Sequence, residues 1–234
     1  MMKITQTLTI STDQVLHLLH QAGGQAWSIS YLPKKHQLLI EHKKDWIAKL
    51  FLPWTHTWYS EGRVGPVEES HYCLALISAG QAALGYYHQG RLVEHKIFRA
   101  YLVRQKQGKS QYKHLKTKGK SRAGSRIRLE ETEQFFKEIN QRFQRYASQY
   151  PLDFWGLGCR KTLWPLLFDA ALPPPFSSKS AALIELPYSF SKASFEELQI
   201  LEYRLTQFHL LRSPLGESLI QLQQASTSDT DDSW

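Results

Sequence analysis

Between residues 99 and 128 the chain carries eleven basic residues and no acidic one: Arg99, Arg104, Lys106, Lys109, Lys113, Lys116, Lys118, Lys120, Arg122, Arg126 and Arg128. Side chains of this kind in this density bind phosphate. Each phosphate neutralised releases counterions, so the expected binding weakens steeply with salt, and phosphate contacts alone read no base sequence. The whole 234-residue chain has a formal charge of +8, yet everything outside this block holds 18 basic and 21 acidic residues, a net −3. The basicity is therefore local and points to a polyanionic partner; a solvated loop that keeps the protein soluble is the plain alternative. Tyr101 and Tyr112 add two rings for base stacking. Gly108-Lys109-Ser110 matches the end of a triphosphate-binding loop, but that motif needs a glycine five residues earlier. Val103 stands there, so nucleotide binding is not expected.

Other chemistry finds little support. The ten histidines are scattered, and none pairs with cysteine or carboxylate at metal-ligand spacing. Neither a metal nor a cofactor is expected. The two cysteines, Cys73 and Cys159, cannot build a disulfide framework, and Cys159 reads as a structural cysteine rather than a nucleophile. With 42% hydrophobic and 12% aromatic residues the chain can bury a core. Trp46, Trp54, Trp58, Trp155 and Trp164 are assigned to that core. No apolar run approaches the roughly 18 residues of a membrane helix, and the start of the chain lacks the apolar stretch of a signal peptide. A cytoplasmic, monomeric protein without membrane contact is expected.

The elements that must position the basic block follow from periodicity. Ser11 and Gln14 have capping-box spacing ahead of a helix over 11–22, with Gly23 and Gly24 at its end. Strands are expected over 26–32 and 37–41, while 45–60 is rich in tryptophan and has no clear period. Three strands, 71–78, 82–88 and 91–103, are punctuated by Gly80 and Gln89-Gly90. Residues 105–125 lack periodicity and read as a long basic loop, of a length that is often functional. A helix over 130–149 buries Phe135, Phe136, Ile139, Phe143, Tyr146 and Ala147, and carries Glu130, Glu131 and Glu133 in its first turn. A short strand over 153–157, a short helix over 159–170 and a strand over 181–186 follow. Ser194 and Glu197 open a last helix with Leu198, Leu201, Leu205 and Phe208 on one face. The expected fold is one α/β domain over 1–220, a single mixed sheet flanked by helices, with a disordered acidic tail over 221–234.

Three segments carry a family resemblance. Val103-Arg104 ends a strand, Gly108-Lys109-Ser110-Gln111 follows in a loop, and Arg122-Ala123-Gly124-Ser125-Arg126-Ile127-Arg128 precedes a helix. Together they resemble the Vms1/ANKZF1-like release-factor domain, often called VLRF1. A later turn before a helix, Leu186-Pro187-Tyr188-Ser189-Phe190-Ser191-Lys192, fits the family loosely, and the element order agrees over about residues 10–212. The second loop glycine of the family is Lys109 here, and its Arg-Arg turn keeps only Lys192. The chain reads as a stand-alone version of the domain.

The resemblance implies a fold like the RNase H-like catalytic domain of eukaryotic-type release factors. It also implies a ribosome-associated peptidyl-tRNA hydrolase that frees nascent chains from stalled complexes. Its partners would be the large ribosomal subunit, peptidyl-tRNA and rRNA. Gln111 would be the catalytic residue, with Gly108 and Ser110 shaping the loop. A glutamine amide both donates and accepts hydrogen bonds and can orient a water on an activated ester, and a backbone N–H can stabilise the developing oxyanion. Arg104, Lys106, Lys109, Lys113, Lys116, Lys118, Lys120, Arg122, Arg126 and Arg128 would hold RNA. Two other readings use the same residues: cleavage of tRNA near its 3′ CCA end, with His114 available for acid–base work, and a non-catalytic RNA-binding module. Gly23-Gly24-Gln25 has the tripeptide typical of release factors, but helix termination explains it, and it is expected to be catalytically silent.

Overall fold

The computed structural model describes residues 7–100, 120–186 and 188–222, with the backbone alone over 120–129. In chain order the elements begin with β1 (Leu8–Ile10), α1 (Thr12–Gly24), β2 (Ser28–Leu32), β3 (Gln37–His42), β4 (Asp45–Phe51), β5 (His56–Tyr59) and β6 (Arg63–Pro66). They continue with β7 (His71–Ser78), β8 (Gln81–His88), β9 (Arg91–Arg99), α2 (Lys120–Gln149), β10 (Phe154–Cys159), α3 (Trp164–Phe168) and β11 (Leu183–Glu185). The last are α4 (Phe195–Leu205), β12 (Phe208–Arg212) and α5 (Pro214–Leu219).

The protein is mixed α/β, and it divides into two compact units, residues 1–69 with 202–234 and residues 70–201. In place of the single expected sheet, the described residues form two five-stranded sheets and a small two-stranded one. The physical reason is β12. Sequence periodicity put Phe208 on the face of the preceding helix, but α4 ends at Leu205 and Phe208 opens a strand. That strand pairs antiparallel with both β1 and β4, so the two ends of the chain build a sheet of their own.

In the first unit the strand order is β1-β12-β4-β3-β2, with every pairing antiparallel. Val15, Leu18 and Ala22 of α1 form the expected apolar stripe and pack with Leu38, Ile40, Ile47, Ala48, Leu50, Phe208 and Leu210. Helix α1 starts where capping chemistry places it: the Ser11 hydroxyl accepts from the Gln14 N–H, and the Gln14 side chain accepts from the Ser11 N–H. The ambiguous stretch over 45–60 supplies β4 and β5. Strand β4 resists pattern reading because its pairing with β3 slips by one residue between Ile40 and Glu41, which leaves Ile47 as a bulge.

The second unit has the order β11-β10-β7-β8-β9. Strands β7, β8 and β9 are an antiparallel meander, β10 lies parallel to β7, and β11 lies parallel to β10. Six consecutive residues are buried in each of β7 and β8, as expected for strands covered on both faces. Helix α2 covers one face with Phe135, Phe136, Ile139, Phe143 and Tyr146. On the other face the Tyr87 hydroxyl donates to the Leu198 carbonyl of α4. The stretch 159–170 is a strand end, a single tight turn over 161–163 and the short α3, with Pro165 in its first turn where a missing N–H costs nothing.

Helix α2 begins ten residues before the expected start. Residues 120–125 are thus helical and do not belong to the loop. Lys, Arg, Ala and Ser tolerate helix well, but the apolar stripe starts only at Phe135, so periodicity could not register the first turns. Glu130, Glu131 and Glu133 consequently sit in the middle of the helix and not beside its N-terminus.

Candidate functional site

The sequence-assigned site falls on the connection between β9 and α2. Gly108, Lys109, Ser110 and Gln111 lie outside the described residues, as do Arg104, Lys106, Lys113, His114, Lys116 and Lys118. Lys120, Arg122, Arg126 and Arg128 fall on the first turns of α2, spread over about 12 Å of helix axis at 1.5 Å per residue. The element that the resemblance placed ahead of a helix is therefore part of one. Lys192 is exposed in the irregular segment leading into α4, as expected for the later turn.

The two stems of this connection are held firmly. The Ala100 N–H donates to the Gly80 carbonyl at 2.9 Å, and Gly80 takes the positive φ that the β7–β8 turn requires. Phe98 is buried in the same cluster as Phe135 and Phe136. Further along, a one-residue slip in the β8–β9 pairing sets Tyr86 opposite Glu94 and Tyr87 opposite Leu92, with Val93 as the extra residue. The bulge puts Leu92 and Glu94 on opposite faces, which aims Glu94 at α2. There its carboxylate accepts from Arg142 and from the Tyr150 hydroxyl at 3.1 Å, with Arg145 at 3.4 Å. The Arg142 guanidinium also lies over the Tyr146 ring, 5.4 Å from its centroid. Burial pushes the Tyr146 phenol far up, so it stays neutral beside these charges. Asn140, fully buried, ties α2 to the next segment by donating to the carbonyls of Leu167 and Leu172, both at 2.8 Å.

Several other expectations find their place. Cys73 is buried and its thiol is raised well above the usual range by desolvation; Cys159, more accessible, is pushed up to about 12. Neither is an activated nucleophile, because nucleophilic cysteine needs a lowered value. Gly23-Gly24-Gln25 forms the end of α1 and its cap, and the left-handed position that follows is taken by Ala26. Trp54 and Trp155 are buried as expected, but Trp46 is 38% exposed.

The sequence reading missed a histidine pair. His71 and His88 are seventeen residues apart but face each other across β7 and β8, with nearly parallel rings stacked 4.4 Å apart. The His71 Nδ1 is 2.7 Å from the Tyr86 hydroxyl, and Tyr86 stacks on Tyr150 at 3.7 Å.

A family model described as Bacteroidetes VLRF1 release factor matches residues 72–213, more than half of the chain, from the second residue of β7 to the residue that caps α5. No curated protein matches the chain.

Proposed function

Because the chain belongs to the Bacteroidetes VLRF1 release factor family, a ribosome-associated release factor, we propose that it hydrolyses peptidyl-tRNA on large ribosomal subunits and so frees stalled nascent chains. Gln111 is the catalytic residue of this reading. Its amide orients the attacking water, Gly108 and Ser110 shape the loop, and the surrounding lysines and arginines hold tRNA and rRNA.

The observation that carries the reading is the family match, whose residues 72–213 include the motif. Gly108 to Gln111 belong to the twenty residues that separate β9 from α2 in the sequence, and the Glu94–Arg142 pair and the Phe98 cluster fix the described elements on either side. The meander followed by two parallel strands, with outer strands β9 and β11, supports an RNase H-like domain as its frame. An aminoacyl ester is already activated, so a neutral, well-placed amide suits the task better than a strong base.

Peptide release from peptidyl-tRNA-bearing large subunits tests it. Gln111→Ala should lower the release rate at least tenfold while leaving subunit binding in place. Full release by that variant would sink the assignment. Examining the tRNA in the same reaction separates the alternatives: an intact 3′ CCA end marks ester hydrolysis and a shortened one marks tRNA cleavage. Binding without any release marks a non-catalytic module.

A further inference from the structure

We infer that the tip of the β3–β4 hairpin, Lys43, Lys44 and Trp46, is a second RNA contact, in which two ammonium groups meet backbone phosphates and the indole meets a base. It extends the ribosome-associated reading by a site outside the family match, which begins at residue 72.

The turn is strained in a way its own contacts do not repay. His42 pairs with Asp45, so Lys43 and Lys44 are the whole loop, and both have positive φ, 51° and 72°. A two-residue turn of this kind favours Asn-Gly, because a Cβ at positive φ is costly. The other non-glycine residues at positive φ have local reasons. His36 is buried, its Nε2 donating to the Pro53 carbonyl and its Nδ1 accepting from the Tyr31 hydroxyl. Ala26 closes the end of α1, its N–H donating to the Gly23 carbonyl. Gln89 precedes Gly90 and donates its N–H to the Ser70 carbonyl. Lys43 and Lys44 are exposed, and among the described residues neither side chain makes a hydrogen bond or an ion pair. Uncompensated strain of this sort accumulates where a segment serves an external partner.

The strand beside the turn is built to present an aromatic ring. Strand alternation would put residue 46 on the same face as the fully buried Ala48 and Leu50. The bulge at Ile47 reverses that, so Trp46 joins Lys49 on the outer face, with the Lys49 ammonium 4.6 Å from the ring centroid. The bulge is locked from behind: its Ile47 carbonyl accepts from the Ser213 N–H at 2.9 Å, and Gly216 of α5 packs against the same carbonyl. The indole has the Lys49 ammonium over it, with Glu41 opposite and Asp45 before it, and an exposed ring beside lysines suits single-stranded RNA, where bases stack on aromatic rings and lysines follow the backbone. An acidic protein surface would use the lysines but gain little from the indole.

The test uses the full chain and a short fluorescein-labelled oligouridylate, titrated across a salt series. Lys43→Asn with Lys44→Gly restores a relaxed turn. It should raise Tm by about 4 °C, weaken binding several-fold and flatten the salt slope by about 1.4, for two phosphates on a single strand. Trp46→Ala should weaken binding about tenfold and Trp46→Phe should restore most of it. Unchanged affinity and slope in the double variant would overturn the inference, as would equal affinity of Trp46→Ala and wild type, and tighter folding with unchanged RNA binding would mark the lysines as mere strain. Release assays keep the two proposals apart. A double variant that binds RNA more weakly but still releases peptide through Gln111 upholds the hairpin contact; a wild type that binds through the hairpin and releases nothing removes only the hydrolase.

Discussion

The two units bury polar chemistry of opposite kinds. In the first, the perturbed groups are mostly histidines. His36, His56 and His209 are all pushed down, in each case chiefly by burial, with Tyr31 raised beside His36. In the second, apart from the exposed Glu196, which the Ser194 hydroxyl pulls down, they are thiols and phenols, Cys73, Cys159, Tyr146 and Tyr150, all pushed up chiefly by burial. Both sets are held neutral, but by opposite proton occupancy, so the first unit is exposed to acid and the second to alkali. Backbone strain divides the same way. Among the described residues, four of the five non-glycine residues at positive φ, Ala26, His36, Lys43 and Lys44, lie in the first unit, whereas the second turns its meander with Gly80 and with Gln89-Gly90. The second unit, which holds most of the family match, has one such residue, Gln89, in its β8–β9 turn. The first spends conformational energy on surface turns and buried imidazoles.

Glycine packing gives the largest way to test that contrast. A Cβ on Gly216 in the first unit would stand 2.0 Å from the Ile47 carbonyl oxygen, a backbone atom fixed in the bulge. A Cβ on Gly158 in the second would meet only side-chain ends, Leu76 Cδ2 and Phe190 Cε1, each at 2.9 Å. Gly216→Ala should therefore cost about 3 kcal/mol or more, and Gly158→Ala about 1 kcal/mol, since side chains can turn away and backbone cannot. Urea denaturation of both variants checks the order. Equal losses would mean that α5 gives way as easily as a leucine rotamer.

The pH dependence is the next largest effect. For the histidines the folded value is depressed, so the unfolded chain binds more protons below about pH 6.5. The stability from neutral His36, His56 and His209 is full above that pH and is lost as pH falls through their lower folded values. The slope is bounded at about 1.4 kcal/mol per pH unit for each histidine, and the less buried His56 should contribute less than His36. For the thiols and phenols the folded value is raised, so stability is full below the unfolded value and falls as pH rises past about 8.5 for cysteine and 10 for tyrosine. Hydrogen exchange should then show amides of β3 and β4 losing protection first between pH 7 and 5, and those of β7 and β8 first above pH 9. Simultaneous loss at both extremes would erase the distinction between the units.

What was legible in the sequence follows the same division. The meander β7-β8-β9 could be read because Gly80 and Gln89-Gly90 mark its turns, and α1 because Ser11 and Gln14 cap it. Strand β12 could not, since Leu201, Leu205 and Phe208 fit a helical period and only pairing with β1 and β4 decides the matter. The early start of α2 was hidden because Lys120 to Arg128 carry no apolar period. Trp46 was assigned to the core because one bulged residue, invisible in composition, reverses the face of everything before it. At the site the motif was legible as residue types. The stems that hold it were not, because Glu94 meets Arg142 only through a bulge and a helix 48 residues further on.

The smallest expected effect separates two glutamines that look alike in the sequence. Gln25 follows two glycines and Gln111 follows Gly-Lys-Ser, so both carry a release-factor signature. Gln25 caps α1, where its backbone N–H donates to the Gln21 carbonyl, a bond that alanine keeps. Open space surrounds the Cα of both Gly23 and Gly24, and both are helical, so no left-handed turn or close approach depends on them. The left-handed position that ends the helix falls to Ala26, so termination does not depend on either glycine. Gln25→Ala should change stability by less than about 0.5 kcal/mol and leave peptide release and RNA affinity as in wild type. A loss of release in Gln25→Ala beside full release in Gln111→Ala would move the chemistry into the first unit, outside the family match, and reverse the roles assigned to the two halves of the chain.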